Sequence, residues 1–112
     1  MNIQIIGTKK CRDTQKAERF FKERRIPFHF RDITEKGISK GELENIKQVI
    51  PIEELIDKEG KQFKKRGFEY MVYEIETELL EDSLLLKTPV VRNGRLATVG
   101  YQPEVWKGWI ID

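Results

Sequence analysis

Cysteine and histidine occur once each in 112 residues, as Cys11 and His29. One cysteine cannot close an internal disulfide, and a structural zinc site normally draws on more than one Cys and one His. No metal is therefore expected, and the expected setting is a reducing cytoplasm. No apolar run approaches the ~18 residues that read as a membrane span. The opening stretch, Met1 to Lys10, is too short and too polar for a secretory signal, so no membrane association is expected. A charge excess is missing as well: 21 Lys and Arg face 19 Asp and Glu, a net +2. Proteins that wrap nucleic acid usually carry a large basic surplus, so direct nucleic-acid binding is disfavoured. Proline- or serine-rich tracts and internal repeats are absent, so no linker is expected. The length suits one domain, predicted over residues 1–112.

What is present is a sequence of short periodic segments. Ile3 to Ile6 is a β-branched apolar run closed by Gly7, and reads as a buried strand. Ala17, Phe20, Phe21 and Arg24 recur at helical spacing, which predicts a helix from about Arg12 to Arg25 before Pro27. Ile26 to Arg31 alternates as a second strand, and a strand, helix and strand in so few residues form a βαβ unit with parallel strands. Ser39 stands three residues before Glu42, the pattern of a capping box, and Leu43, Ile46 and Ile50 then share a helical face. Short helical turns follow: Ile52 to Ile56, Lys61 to Arg66 ended by Gly67, and a stretch in which Val72, Ile75 and Leu79 share a face. The strand pattern returns at Val90-Val91 and at Leu96 to Val99, with Asn93-Gly94 as the hairpin signal. Pro103 opens a last helix, with Val105, Trp106, Trp109 and Ile110 as its apolar face. The order β-α-β, helices, β-β-α fits an α/β fold of thioredoxin type. Its two parts are expected at about 1–32 and 84–112, with a helical insertion at about 39–82 between them.

Cys11 falls between the first strand and the first helix, at the carboxyl edge of the sheet, where ligands bind in such folds. Unpaired N–H groups and the positive end of the helix dipole favour a thiolate there. Lys9, Lys10 and Arg12 add positive field, and Asp13 opposes it. Thr14 lies one turn away on the same face, placed to donate its hydroxyl to the sulfur. The charged neighbours are poor company for a buried structural cysteine, which is the competing reading.

The stretch from Gly7 through Cys11-Arg12-Asp13-Thr14 to Ala17 resembles the N-terminal site of the glutaredoxin-dependent arsenate reductases and of the related Spx regulators. Thr88-Pro89-Val90-Val91 is similar to that family's cis-proline segment, and Arg95-Leu96 with Val99-Gly100-Tyr101 resembles the ending before its last helix. The likeness covers almost the whole chain. It implies that Cys11 is the catalytic thiolate and that Thr14 stands where the family has Ser or a second Cys. It implies a cis Pro89 facing the cysteine. Lys10, Arg12, Gln15, Thr88 and Pro89 become the candidate substrate-binding residues. No cofactor is implied beyond glutathione as a co-substrate, and glutathione or glutaredoxin is the implied partner. The alternative implied by the Spx branch is a regulatory module that binds a protein such as RNA polymerase.

The departures from the family pattern are specific. Positions where the arsenate reductases carry substrate-binding arginines hold Gln15, Thr88 and Gly100-Tyr101 here, and near Asp57 in the insertion. Arsenate needs charge-assisted donors, so it is a doubtful substrate unless Lys9, Lys10, Arg12, Arg92 or Arg95 substitutes. His29, between Phe28 and Phe30, reads as a structural or surface residue. Lys61 to Arg66 reads as a solvated basic helix face, with a patch for an acidic partner as the alternative. Glu74 to Asp82 reads as a wet acidic face, and Trp106 and Trp109 as packing residues.

Overall fold

The computed structural model describes residues 1–110; the last two residues of the expected 1–112 unit lie outside the described residues. Four strands, β1 (Ile3–Gly7), β2 (Phe28–Asp32), β3 (Val90–Asn93) and β4 (Leu96–Val99), form one mixed sheet in the order β2-β1-β3-β4. β2 runs parallel to β1, as the βαβ reading requires, and β3 and β4 run antiparallel to their neighbours. Alternation along the strands divides the core between the two faces. Ile3, Ile5 and Val91 point toward α1 (Arg12–Glu23) and α5 (Pro103–Ile110), where they meet Ala17, Phe21 and Trp106. Ile6 and Val90 point the other way, into the insertion formed by α2 (Lys40–Lys47), α3 (Lys61–Lys65) and α4 (Ile75–Glu81). No helix among the described residues is long and apolar enough to cross a membrane.

The capping box forms as the sequence predicts: the Glu42 N–H donates to Ser39 Oγ at 3.2 Å, and Glu42 Oε1 accepts from the Ser39 N–H at 3.0 Å. Arg31 of β2 adds a bidentate pair to Glu42 at 2.9 and 2.8 Å, tying the insertion to the sheet. Partial burial raises the Glu42 pKa, but the Arg31 guanidinium and the Ser39 donors outweigh it and hold the carboxyl at about 2, against an ordinary 4.5. A lowered folded-state pKa contributes stability above the unfolded value, which is lost as pH falls toward 2. Allowing for solvent screening, Glu42→Gln should cost on the order of 2 kcal/mol near neutral pH. Urea midpoints should show the gap between wild type and variant closing as pH drops from 5 toward 2. A gap unchanged at low pH would refute the assignment.

Several expectations need correction. α1 ends at Glu23, ahead of the predicted Arg25, because Arg25 turns to a left-handed φ of 57°. The hairpin connection is Gly94-Arg95: Asn93 pairs with Leu96 inside the ladder, so only Gly94, at φ 60°, uses the left-handed region. Val72 is fully exposed and outside α4; Tyr73 packs on Phe63 and Phe68 in its place. Val105 is 44% exposed and does not belong to the buried face of α5. The acidic stretch before Ser83 is paired as well as solvated, with Glu76 on Lys47, and Glu78 and Asp82 on Arg66. His29 is an exposed residue of β2.

Candidate functional site

Cys11 is the N-cap of α1: its carbonyl accepts the first helical bond from the Gln15 N–H at 3.0 Å, while its own φ of −76° and ψ of 122° stay extended. The approach from β1 is a tight turn, closed by the Cys11 N–H on the Thr8 carbonyl at 3.2 Å. Gln15 Nε2 donates to the Lys9 carbonyl at 2.7 Å and fastens that turn to the helix. Gly7 is required beneath it. A Cβ there would lie 2.8 Å from Thr14 Cγ2 and closer still to the Thr14 hydroxyl oxygen. The missing side chain lets Thr14 tuck under the turn, fully buried one helical turn from the sulfur.

The buried Thr14 hydroxyl has no hydrogen-bond partner. A buried polar group without a partner is costly, so the natural acceptor is the Cys11 thiolate. Partial burial of Cys11 penalises that thiolate, but the donors grouped around the sulfur, the Thr14 and Thr88 hydroxyls and the Thr14 and Asp13 N–H groups, favour it and outweigh the penalty. The Cys11 pKa is therefore held below its ordinary 9.0. The positive field expected from Lys9, Lys10 and Arg12 is not among the causes; their side chains extend into solvent, where charge is screened. The neutral thiol has the Thr88 carbonyl as its acceptor at 3.7 Å.

Thr88 precedes Pro89 through a cis peptide bond, as the family resemblance implies. Pro89 is buried, and its carbonyl accepts from the Gly100 N–H at 2.8 Å, joining this segment to the corner before α5. Gly100 itself has φ 83°, a conformation unsuited to the arginine that the reductases carry near this corner.

Cys11 opens into a cleft of about 410 Å³ between the sheet edge and the insertion. Of the predicted site residues, Lys10, Cys11 and Thr88 line it; Arg12, Gln15 and Pro89 do not, and Thr14 lies buried behind the sulfur. Of the five cations that were candidates to replace the family arginines, Lys10 alone lines this cleft; Arg92 and Arg95 line a separate one beside α2. The sequence reading missed the opposite wall, where Asp57, Lys61 and Gln62 border the cleft above Phe63 and Leu86. The signal is the basic run Lys61 to Arg66, which the sequence offers as a solvated helix face with a patch for an acidic partner as the alternative. Among the described residues no group of three or more His, Cys, Asp or Glu could hold a metal ion.

A model of the ArsC family matches residues 6–109. Among solved structures, the YffB protein superposes with a TM-score of 0.84 at 20% identity, covering 95% of this chain and 96% of its own. An ArsC-family-related protein from Bacteroides fragilis gives 0.81 at 25% identity, over 96% and 97% of the two chains. An arsenate reductase from Vibrio cholerae gives 0.79 at 17% identity, over 94% of each. No curated protein matches the sequence.

Proposed function

Because the chain belongs to the ArsC family, we propose that it is a monothiol redox protein in which the Cys11 thiolate exchanges with disulfides. The observation that carries this reading is the Thr14 hydroxyl, buried without a partner and placed to hold charge on the sulfur at the helix N-terminus. The thiolate attacks one sulfur of an oxidised substrate. The substrate S–S bond breaks as the new one to Cys11 forms, and the departing thiolate takes a proton from water. With no second cysteine in the chain, the mixed disulfide is resolved from outside, by glutathione or by the thiol of a glutaredoxin. The Thr88 carbonyl, 3.7 Å from the sulfur, supports the same reading, since it presents backbone there for a peptide-like thiol.

Iodoacetamide alkylation followed against pH tests the thiolate. Wild type should show a midpoint below that of free cysteine. Thr14→Val keeps the shape, removes the hydroxyl, and should move the midpoint upward with slower alkylation at neutral pH. Incubation with glutathione disulfide should then yield one adduct, lost in Cys11→Ser. A wild-type midpoint at or above free cysteine, with no adduct, would overturn the proposal.

A further inference from the structure

The wall opposite Cys11 carries chemistry that the redox reading does not use. Lys61, at the start of α3, faces the same cleft as Lys10 on the β1–α1 turn, and neither forms an ion pair among the described residues. The one carboxylate bordering the cleft among the described residues, Asp57, hydrogen-bonds within its own turn. Its Oδ1 accepts from the Glu59 N–H at 3.2 Å, and its Oδ2 lies against Gly60, where an added Cβ would stand 2.8 Å away. The cleft is thus bordered by two exposed lysines and one carboxylate, none of them in an ion pair among the described residues, over an apolar floor of Phe63, Ile33 and Leu86. α3 is not free to turn Lys61 away: Gln62 donates to Asp82 at 2.6 Å, and Arg66 binds the same carboxylate at 3.0 Å.

We infer that Lys61, with Lys10, selects the substrate of Cys11, favouring aliphatic disulfides that carry carboxylates. This rests on the proposed thiol exchange and adds its charge specificity. The sulfur of such a substrate reaches Cys11, its methylene chain lies on the apolar floor, and its acid groups take the lysines at the rim. The bond changes are those of one exchange: Cys11–S–S–R forms, the substrate S–S bond breaks, and R–S⁻ leaves with both electrons of that bond. Lysine suits this selection because it acts as a point charge on a flexible stem, attracting a carboxylate without demanding a fixed fork geometry.

Three aliphatic disulfides of similar length test it: dithiodipropionate, cystamine and hydroxyethyl disulfide, respectively dianionic, dicationic and neutral. The rate of adduct formation on the reduced full chain is read by mass spectrometry. Each rate is divided by that of the same disulfide with free mercaptoethanol, which removes differences in leaving group. The normalised dianion-to-dication ratio should exceed one in wild type. It should fall about five- to tenfold in Lys61→Glu at low ionic strength, and the difference should shrink as salt is added. Lys64→Glu makes the same change of net charge on α3 outside the cleft and should lower the ratio by clearly less. A wild-type ratio at or below one, or equal ratios in Lys61→Glu and Lys64→Glu, overturns the selectivity while leaving the exchange reaction standing. Absence of adduct with all three disulfides overturns the exchange reading and the selectivity with it.

Discussion

Trp106→Ala should lower stability by about 3–5 kcal/mol, the cost of a large aromatic truncated in a packed core. Domains of this size have on the order of 5–15 kcal/mol in total, so the variant is expected at the edge of unfolding. Trp106 is fully buried on α5 and packs on the rings of Phe20 and Phe21, at centroid distances of 5.3 and 5.4 Å. Those two residues form the inner face of α1, the helix whose N-terminus holds Cys11. The indole N–H donates to Thr98 Oγ1 at 2.8 Å, fixing α5 to the edge strand β4. Trp106→Phe therefore separates two effects. It keeps most of the ring contacts but leaves the Thr98 hydroxyl without its donor, a loss of roughly 1–3 kcal/mol. Urea denaturation followed by far-ultraviolet circular dichroism should order the midpoints wild type, Phe, Ala. A midpoint for the Ala variant equal to that of wild type would mean that α5 does not anchor α1.

Much of this arrangement can be read directly from residue order. The β-branched run at Ile3 to Ile6, the stripe of Ala17, Phe20 and Phe21, and the Ser39–Glu42 box each depend on neighbours a few residues away, and each forms as expected. The same local logic places Cys11 at the helix start, where it is the N-cap. The failures are those of longer range. Val72 and Tyr73 are both apolar enough to continue the helical spacing, and only the aromatic partners Phe63 and Phe68 decide that Tyr73 turns inward. Asn93-Gly94 marks the turn in the sequence, but the cross-strand pairing of Asn93 with Leu96 sets the loop one residue later. Within the basic run Lys61 to Arg66, local spacing does not distinguish Lys61 from its neighbours. Its meaning comes from the packing of α3 against the last turn before Leu86, about 50 residues from Cys11 in sequence, a juxtaposition that periodicity does not encode.

Arsenate should be a poor substrate, with turnover about three decades or more below that of a glutaredoxin-dependent arsenate reductase under the same conditions. The site has a cysteine whose pKa is held below its ordinary value, but lacks the fork-shaped cations that hold and polarise a multiply charged oxyanion. Gln15 stands at one family arginine position, and its amide is spent on the Lys9 carbonyl at 2.7 Å. Thr88 stands at another with a neutral hydroxyl. At the corner before α5, Gly100 holds φ 83°, and the Tyr101 side chain turns to Lys16 and Trp106. Arg92 is taken by Gln4 at 3.2 Å and, with Arg95, borders a different cleft. Each charge-assisted hydrogen bond is worth roughly 1.5–3 kcal/mol, and 1.4 kcal/mol is a factor of ten, so two or three missing donors account for the deficit. Lys10 and Lys61 border the cleft, but two flexible ammonium groups do not reproduce a bidentate cradle. The assay is arsenate-dependent oxidation of glutathione with glutaredoxin supplied, beside dithiodipropionate reduction by the same preparation. Negligible arsenate turnover with ready disulfide exchange is the expected pair of results. Arsenate turnover equal to that of a family reductase would show that the two lysines rebuild the oxyanion site, and Lys61→Glu would then have to abolish it.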